Sequence, residues 1–226
     1  MPVAWPAWLV DLLFPARCLG CGRQADLLCS WCRRSLRVLS GPSCAFCGAP
    51  TAWPVERCSE CSGRRLTFAS ARAAVEYAGP ARSLVHGWKE RGLRRAATLA
   101  ADLIVSLVEA PTVDVVTAVP PDAERLLRRG HHPAGRLARE LGRRWELPVS
   151  TLLVRPRSSS RQTGLRFAER RRNVDGAFAA RGAVPPDVLL VDDVYTTGST
   201  ASAAAAALRA GGARTVRVLT FARTGR

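Results

Sequence analysis

Residues 188–200 read VLLVDDVYTTGST, and no other stretch restricts the possible fold so strongly. Val188, Leu189, Leu190 and Val191 form an unbroken apolar run, the pattern of a strand covered on both faces in a parallel sheet. Asp192 and Asp193 follow where such a strand ends. Thr196, Thr197, Gly198, Ser199 and Thr200 then open an alanine-rich helical segment, and their small side chains leave backbone amides free to face an anion. A helix N-terminus flanked by hydroxyls suits a phosphate, and two carboxylates just before it suit a polyol with a divalent metal nearby. Ribose 5-phosphate has that layout. The bland alternative is a buried strand followed by an ordinary cap, because Asp, Ser and Thr favour caps in any case.

The rest of the chain supports the same architecture. From about residue 67, strands are predicted at 71–77, 114–119, 149–154, 187–192 and 215–221, with helices at 80–89, 93–109, 133–145 and 199–210. This alternation predicts an α/β fold: a parallel sheet with flanking helices and a ligand at the C-terminal ends of the strands. Segment 155–165 holds three consecutive serines and Gly164, and a basic helical turn to Arg172 follows. It reads either as a lid carrying Arg161 and Gln162 over the site or as a plain surface loop.

All eight cysteines lie within residues 18–61, as the C-x-x-C pairs Cys18/Cys21, Cys29/Cys32, Cys44/Cys47 and Cys58/Cys61. Two such pairs supply the four thiolates of a closed tetrahedral zinc site, so the pattern predicts two structural Zn²⁺ ions. The spacing favours sequential use, Cys18, Cys21, Cys29 and Cys32 on one ion and Cys44, Cys47, Cys58 and Cys61 on the other. A cross-brace of alternate pairs is the other possibility. The expected organisation is therefore residues 1–66 as an N-terminal helix with a double zinc-ribbon module, then 67–226 as the α/β domain.

The 226-residue chain carries a formal charge of +16. Residues 1–70 hold eight arginines and four acids, whereas 125–172 alone holds fourteen arginines and three glutamates. Two four-thiolate zinc sites would cancel the +4 of the first region, which makes the ribbons a poor anchor for nucleic acid and better suited to a protein contact. The basic segment, with Arg128, Arg129, Arg136, Arg139, Arg143 and Arg144 in or beside one helix, suits polyphosphate or single-stranded DNA, or else is a solvated face. No apolar run reaches the length of a membrane span. The apolar residues 3–14, broken by Asp11 and not preceded by basic residues, read as a short amphipathic helix and not as a signal peptide. Together these features predict a cytoplasmic protein without membrane insertion.

The 188–200 stretch resembles the signature of type I phosphoribosyltransferases, which bind phosphoribosyl pyrophosphate (PRPP) with Mg²⁺. The resemblance implies that Asp192 and Asp193 contact the ribose hydroxyls and that Thr196, Thr197, Gly198, Ser199 and Thr200 cradle the 5′-phosphate. It also places a pyrophosphate loop at Val119, Pro120 and Pro121, with Arg125 and Lys89 as cationic contacts; Lys89 equally suits a surface lysine ending a helix. The wider order of motifs comprises the cysteine pairs, Y-x-G-P-x-R-x-L-x-H from Tyr77, K-x-x-G at 89–92, V-P at 119–120 and R-x-x-R-R-G at 125–130. Q-x-G-L and R-R-x-N follow within 162–173, and the phosphate loop comes last. Over nearly the whole chain this resembles the ComF family of phosphoribosyltransferase-like competence proteins. That likeness implies a role in DNA uptake or utilisation, with pentosyl transfer to an unidentified acceptor. The rival implication is a non-catalytic adaptor that handles single-stranded DNA and meets a DNA translocase through its ribbons. No residue reads as a general base. One departure stands out: His131, His132 and Pro133 replace the family's usual aromatic and amide residues, as a surface turn or as imidazole donors.

Overall fold

A computed structural model of the chain describes residues 16–156 and 177–225. The apolar segment 3–14, Arg161 and Gln162 fall outside the described residues.

Strands β1 (Ser70–Glu76), β2 (Val115–Ala118), β5 (Asp187–Tyr195) and β6 (Thr215–Arg223) form one sheet in the order β1-β6-β5-β2, and every neighbour is parallel. Parallel neighbours need crossovers, which the helical segments between the strands supply. These are α2 (Gly79–Glu90), α3 (Arg95–Leu107), α4 (Ala123–Arg129), α5 (Pro133–Trp145) and α6 (Ser199–Ala210); a short α1 (Ser30–Arg34) lies among the cysteines. A second, two-stranded antiparallel sheet pairs β3 (Leu153–Val154) with β4 (Ala179–Ala180).

The apolar run of β5 serves both faces of the sheet. Leu189 and Val191 join Trp88, Ile104, Leu137 and Leu141 under α2, α3 and α5, whereas Val188 and Leu190 join Ala204, Ala205 and Leu208 of α6. Each cysteine quartet belongs to a different face. Cys18 and Cys32 pack with the α2–α3 side, and Cys44, Cys47, Cys58 and Cys61 with the α6 side. Between the quartets the chain runs along β1: the Leu39 amide donates to Ala74 O at 2.9 Å and the Glu76 amide to Arg37 O at 2.8 Å. Residues 37–39 thus cover an edge that would otherwise present unpaired backbone groups.

Several elements differ from the sequence-based expectation; α1 and β4, for example, are short additions to it. The apolar run predicts a strand ending at Asp192, but β5 continues to Tyr195, because β6 also runs on and pairs Asp192 with Thr220 and Tyr195 with Arg223. Of the strand predicted at 149–154, only Leu153–Val154 forms one, and Val149 makes an isolated bridge to Val116. Helix α4 has no counterpart among the predicted elements. Asp122 caps it by accepting from the Glu124 amide at 3.0 Å, and Gly130 ends it at φ 65°.

Candidate functional site

The C-terminal end of β5 opens on a cleft of about 190 Å³ lined by Lys89, Pro120, Arg125, His132, Asp192, Asp193 and Thr200, among others. Asp193 is buried, and its carboxylate accepts an ion pair from Lys89 Nζ at 2.6 Å. Lys89 is therefore a cleft residue and not a surface lysine. Asp192 accepts from the Asp193 amide at 2.8 Å. Burial, and next the neighbouring Asp193 charge, push the Asp192 carboxyl up to about 7, against the opposing pull of that amide and Lys89. A desolvated acid pair with one member titrating near neutrality is a common mark of a ligand site.

Beyond the acids, the loop doubles back at Gly198, whose φ of 74° suits glycine; a Cβ there would collide with the Tyr195 hydroxyl. Thr197 Oγ1 lies 3.0 Å from Ser199 Oγ and accepts from the Ser199 amide at 3.4 Å, and no acid stands in the first turn of α6. The free amides of that turn and the hydroxyls around it are the donor set expected for a phosphate. Asp192, Thr196, Gly198 and Thr200 also line a small recess with Tyr195 and Thr220.

Opposite the loop, Pro120 O accepts from Arg155 Nε at 3.0 Å, and the Arg155 guanidinium sits 4.3 Å above the Phe178 ring. Arg125 is exposed on α4 at the cleft margin. The two histidines do not form a bare surface turn. His131 Nε2 lies 2.9 Å from Trp88 O, and its Nδ1 lies 2.8 Å from Arg129 O, which ties the end of α2 to the turn before α5. His132 Nε2 lies 2.9 Å from Val119 O; burial, partly offset by that carbonyl, holds this imidazole below its ordinary pKa. The ring fits because residue 135 is glycine: a Cβ there would meet His132 Nδ1 at 2.5 Å.

The basic helix is less free than its composition suggests. Arg129 pairs with Glu90, and Arg144 with Glu140 at 2.6 Å and Asp102 at 2.7 Å. Arg128, Arg139 and Arg143 are exposed, although Arg143 also reaches Glu140 at 2.8 Å and Arg136 is partly buried.

The cysteines gather as Cys18/Cys21/Cys29/Cys32 and Cys44/Cys47/Cys58/Cys61, the sequential pairing, with the sulfurs of each group within 4.8 Å of one another. A tetrahedron with Zn–S of about 2.3 Å separates its sulfurs by about 3.8 Å. The observed 3.7 Å for Cys21–Cys29, 3.6 Å for Cys44–Cys61 and 3.5 Å for Cys47–Cys58 fit that ion. Burial opposes charge on Cys18 and Cys44, yet backbone amides, including Cys29 N at 3.3 Å from Cys18 Sγ, bring both thiols down to about 6. Both groups suit structural zinc with no open coordination position.

A parallel sheet with an acid pair and a helix N-terminus at its C-terminal end, joined to two four-cysteine groups of zinc-site geometry, defines an α/β protein with a ligand cleft and a zinc-ribbon module. The family model "Double zinc ribbon domain" matches residues 9–62. The chain is 31% identical to the DNA utilization protein YhgH of Salmonella typhi, over 94% of this chain and 99% of that one. It is 27% identical to competence protein F of Haemophilus influenzae, over 93% of this chain and 98% of that one. The chain belongs to this family of competence F and YhgH proteins, the ComF family. Among solved structures, the Bacillus subtilis glutamine PRPP amidotransferase complexed with ADP and GMP aligns at 22% identity and a TM-score of 0.40. That alignment covers 55% of this chain and 26% of that one. No helix among the described residues is long and apolar enough to cross a membrane.

Proposed function

We propose that the protein binds PRPP in the cleft between β5 and the β2–α4 turn and acts in DNA utilisation or uptake, as the names of its relatives suggest. The observation that carries this reading is the desolvated Asp192–Asp193 pair placed directly before the open turn of α6. In this reading Asp192 and Asp193 hold the ribose hydroxyls, and the loop 196–200 holds the 5′-phosphate. Lys89 and Arg125 face the pyrophosphate, with the Pro120 turn as their floor. Mg²⁺ bound with the ligand would neutralise charge on the departing pyrophosphate. The protein's own cations would then stabilise the remaining charge as the ribose becomes oxocarbenium-like. Titration calorimetry of the zinc-loaded protein with PRPP and Mg²⁺ tests the reading. Heat that depends on Mg²⁺ supports it, and no binding overturns it. Pyrophosphate release on adding an acceptor would establish transfer.

The raised Asp192 pKa gives the binding a pH signature. The ionised carboxylate is the form that holds ribose hydroxyls, so PRPP affinity should rise about tenfold from about pH 6 to about pH 8 as a group near 7 ionises. The stability term has the opposite sense: the folded state keeps a proton that the unfolded chain has lost, so stability falls as pH rises from about 4 to about 7. Asp192→Asn should remove the Asp192 part of both slopes; slopes identical to the parent's would exclude Asp192 as their source.

For the DNA role, Arg128, Arg139 and Arg143 offer exposed guanidinium groups for phosphates, and the ribbons expose Trp31 by 57% and Trp53 by 68% for a protein partner such as a translocase. Charge reversal at Arg139 and Arg143, one helical turn apart, should weaken single-stranded DNA binding and flatten its salt dependence by roughly 0.7 for each phosphate that is no longer neutralised. Retention of the parent's salt slope would leave these arginines as a solvated face.

A further inference from the structure

We propose that Arg64, delivered by the second zinc knuckle, is a ligand of the phosphate held by the loop 196–200. The inference rests on the reading of that loop as the phosphate site. Arg64 lies three residues after Cys61, and its amide donates to Cys61 O at 3.2 Å, so the metal knuckle fixes where its backbone turns. Its partly buried guanidinium donates to Ser199 Oγ at 3.4 Å, at the first residue of α6. Among the described residues it is the one cationic side chain that hydrogen-bonds this loop, and it makes no ion pair.

That placement is costly without an anion. The first turn of α6 already concentrates positive partial charge on its amides, of which Ser199 N meets the Thr197 hydroxyl, with no acid to offset it. Adding an unpaired guanidinium beside it is unfavourable unless a negative group binds between them. A guanidinium has five N–H donors in a rigid fork, and the bond to Ser199 uses one of them, which leaves donors matched to phosphate oxygens.

The knuckle is also braced against the loop, so Arg64 does not depend on a wandering ribbon. Arg223 is buried and donates to Cys47 O at 2.7 Å and to Glu60 Oε2 at 2.5 Å, while its guanidinium lies 4.7 Å from the Tyr195 ring. Phe68 stacks on Phe46 at 5.2 Å and meets Tyr195 edge-on at 6.3 Å. Phe46 sits between Cys44 and Cys47, and the Tyr195 hydroxyl fills the space behind Gly198. The second zinc site thereby reaches the loop by two packed routes. The first quartet packs in the cluster on the opposite face of the sheet.

The test is calorimetry with inorganic phosphate and with PRPP plus Mg²⁺, on full-length protein whose zinc content is measured alongside. Arg64→Gln should keep both zinc ions and weaken both ligands by about tenfold, the scale of one lost charged hydrogen bond. Arg64→Lys should recover part of that loss, since a point charge replaces the fork. Cys58→Ser, which empties the second site, should weaken phosphate binding more than Cys21→Ser, which empties the first. Should a cysteine variant fail to fold, Arg64→Gln decides alone. Affinities for both ligands within about twofold of the parent's would overturn the role of Arg64 while leaving the loop as a phosphate site. A parent protein that binds neither ligand would overturn the phosphate site itself, and this inference with it.

Discussion

Metal analysis of the purified protein is expected to return two zinc ions per chain, and a strong chelator to unfold both ribbons and loosen the sheet they flank. Structural zinc contributes on the order of 10–16 kcal/mol in isolated finger peptides. That equals or exceeds the roughly 5–15 kcal/mol that keeps a whole domain folded. Here the loss would spread, because the two quartets sit in the apolar clusters on opposite faces of the sheet. Circular dichroism during chelation should show loss of ordered structure beyond the ribbons alone. Cys44→Ser should release one ion only, since Cys44 shares its group with Cys47, Cys58 and Cys61 alone. Loss of both ions in that variant would contradict independent sites, and a folded, soluble protein with fewer than two zinc ions would sink the assignment.

Replacing both acids, Asp192→Asn with Asp193→Asn, should reduce PRPP affinity about a hundredfold or more, from two charged hydrogen bonds of roughly 1.5–3 kcal/mol each. The two substitutions differ in their cost to the fold. Burial and the neighbouring Asp193 charge already disfavour the ionised form of Asp192, so an amide there removes little charge–charge stabilisation. Asp193→Asn breaks the 2.6 Å pair with Lys89 and leaves a three-quarters buried ammonium without its partner. Thermal unfolding should register the second change more than the first. Inorganic phosphate should still bind the double variant, because the amides of α6 are untouched. Unchanged PRPP affinity would mean that the carboxylates do not face the ribose.

Much of this fold is legible in the sequence because its strongest signal is local. Val188–Val191 is covered on both faces, so the run has no alternation to blur, and the acid pair and the loop 196–200 follow it closely in sequence. The extent of β5 is less legible, because continuation past Asp192 depends on pairing with β6, far along the chain. Helix α4 is hidden for a different reason: none of its seven residues is buried, so it shows no apolar period, although Asp122 and Gly130 mark its ends. The place of Lys89 needs the tertiary fold, since a lysine near the end of a helix has the same local sequence whether it meets an acid or water. Arg64 gives no signal at all; it meets Ser199 across 135 residues of chain. His132 is visible as a departure from the family pattern, but its partner, Val119 O, is not.

The bond from Arg223 to Cys47 O joins residues 176 positions apart, and it has a temporal meaning. During synthesis the cysteine knuckles leave the ribosome before the strands they dock against and already carry their full set of thiolate ligands. They do not have what they need to dock. Their apolar sides wait for β5 and β6, which are made later, and closing so long a loop is slow. The nascent chain therefore passes through a stage with loaded ribbons and an unfilled sheet, its edge strand β1 present before the partner β6 exists. This interval is when the chain is most open to misassociation, and it shortens only as fast as translation reaches Arg223.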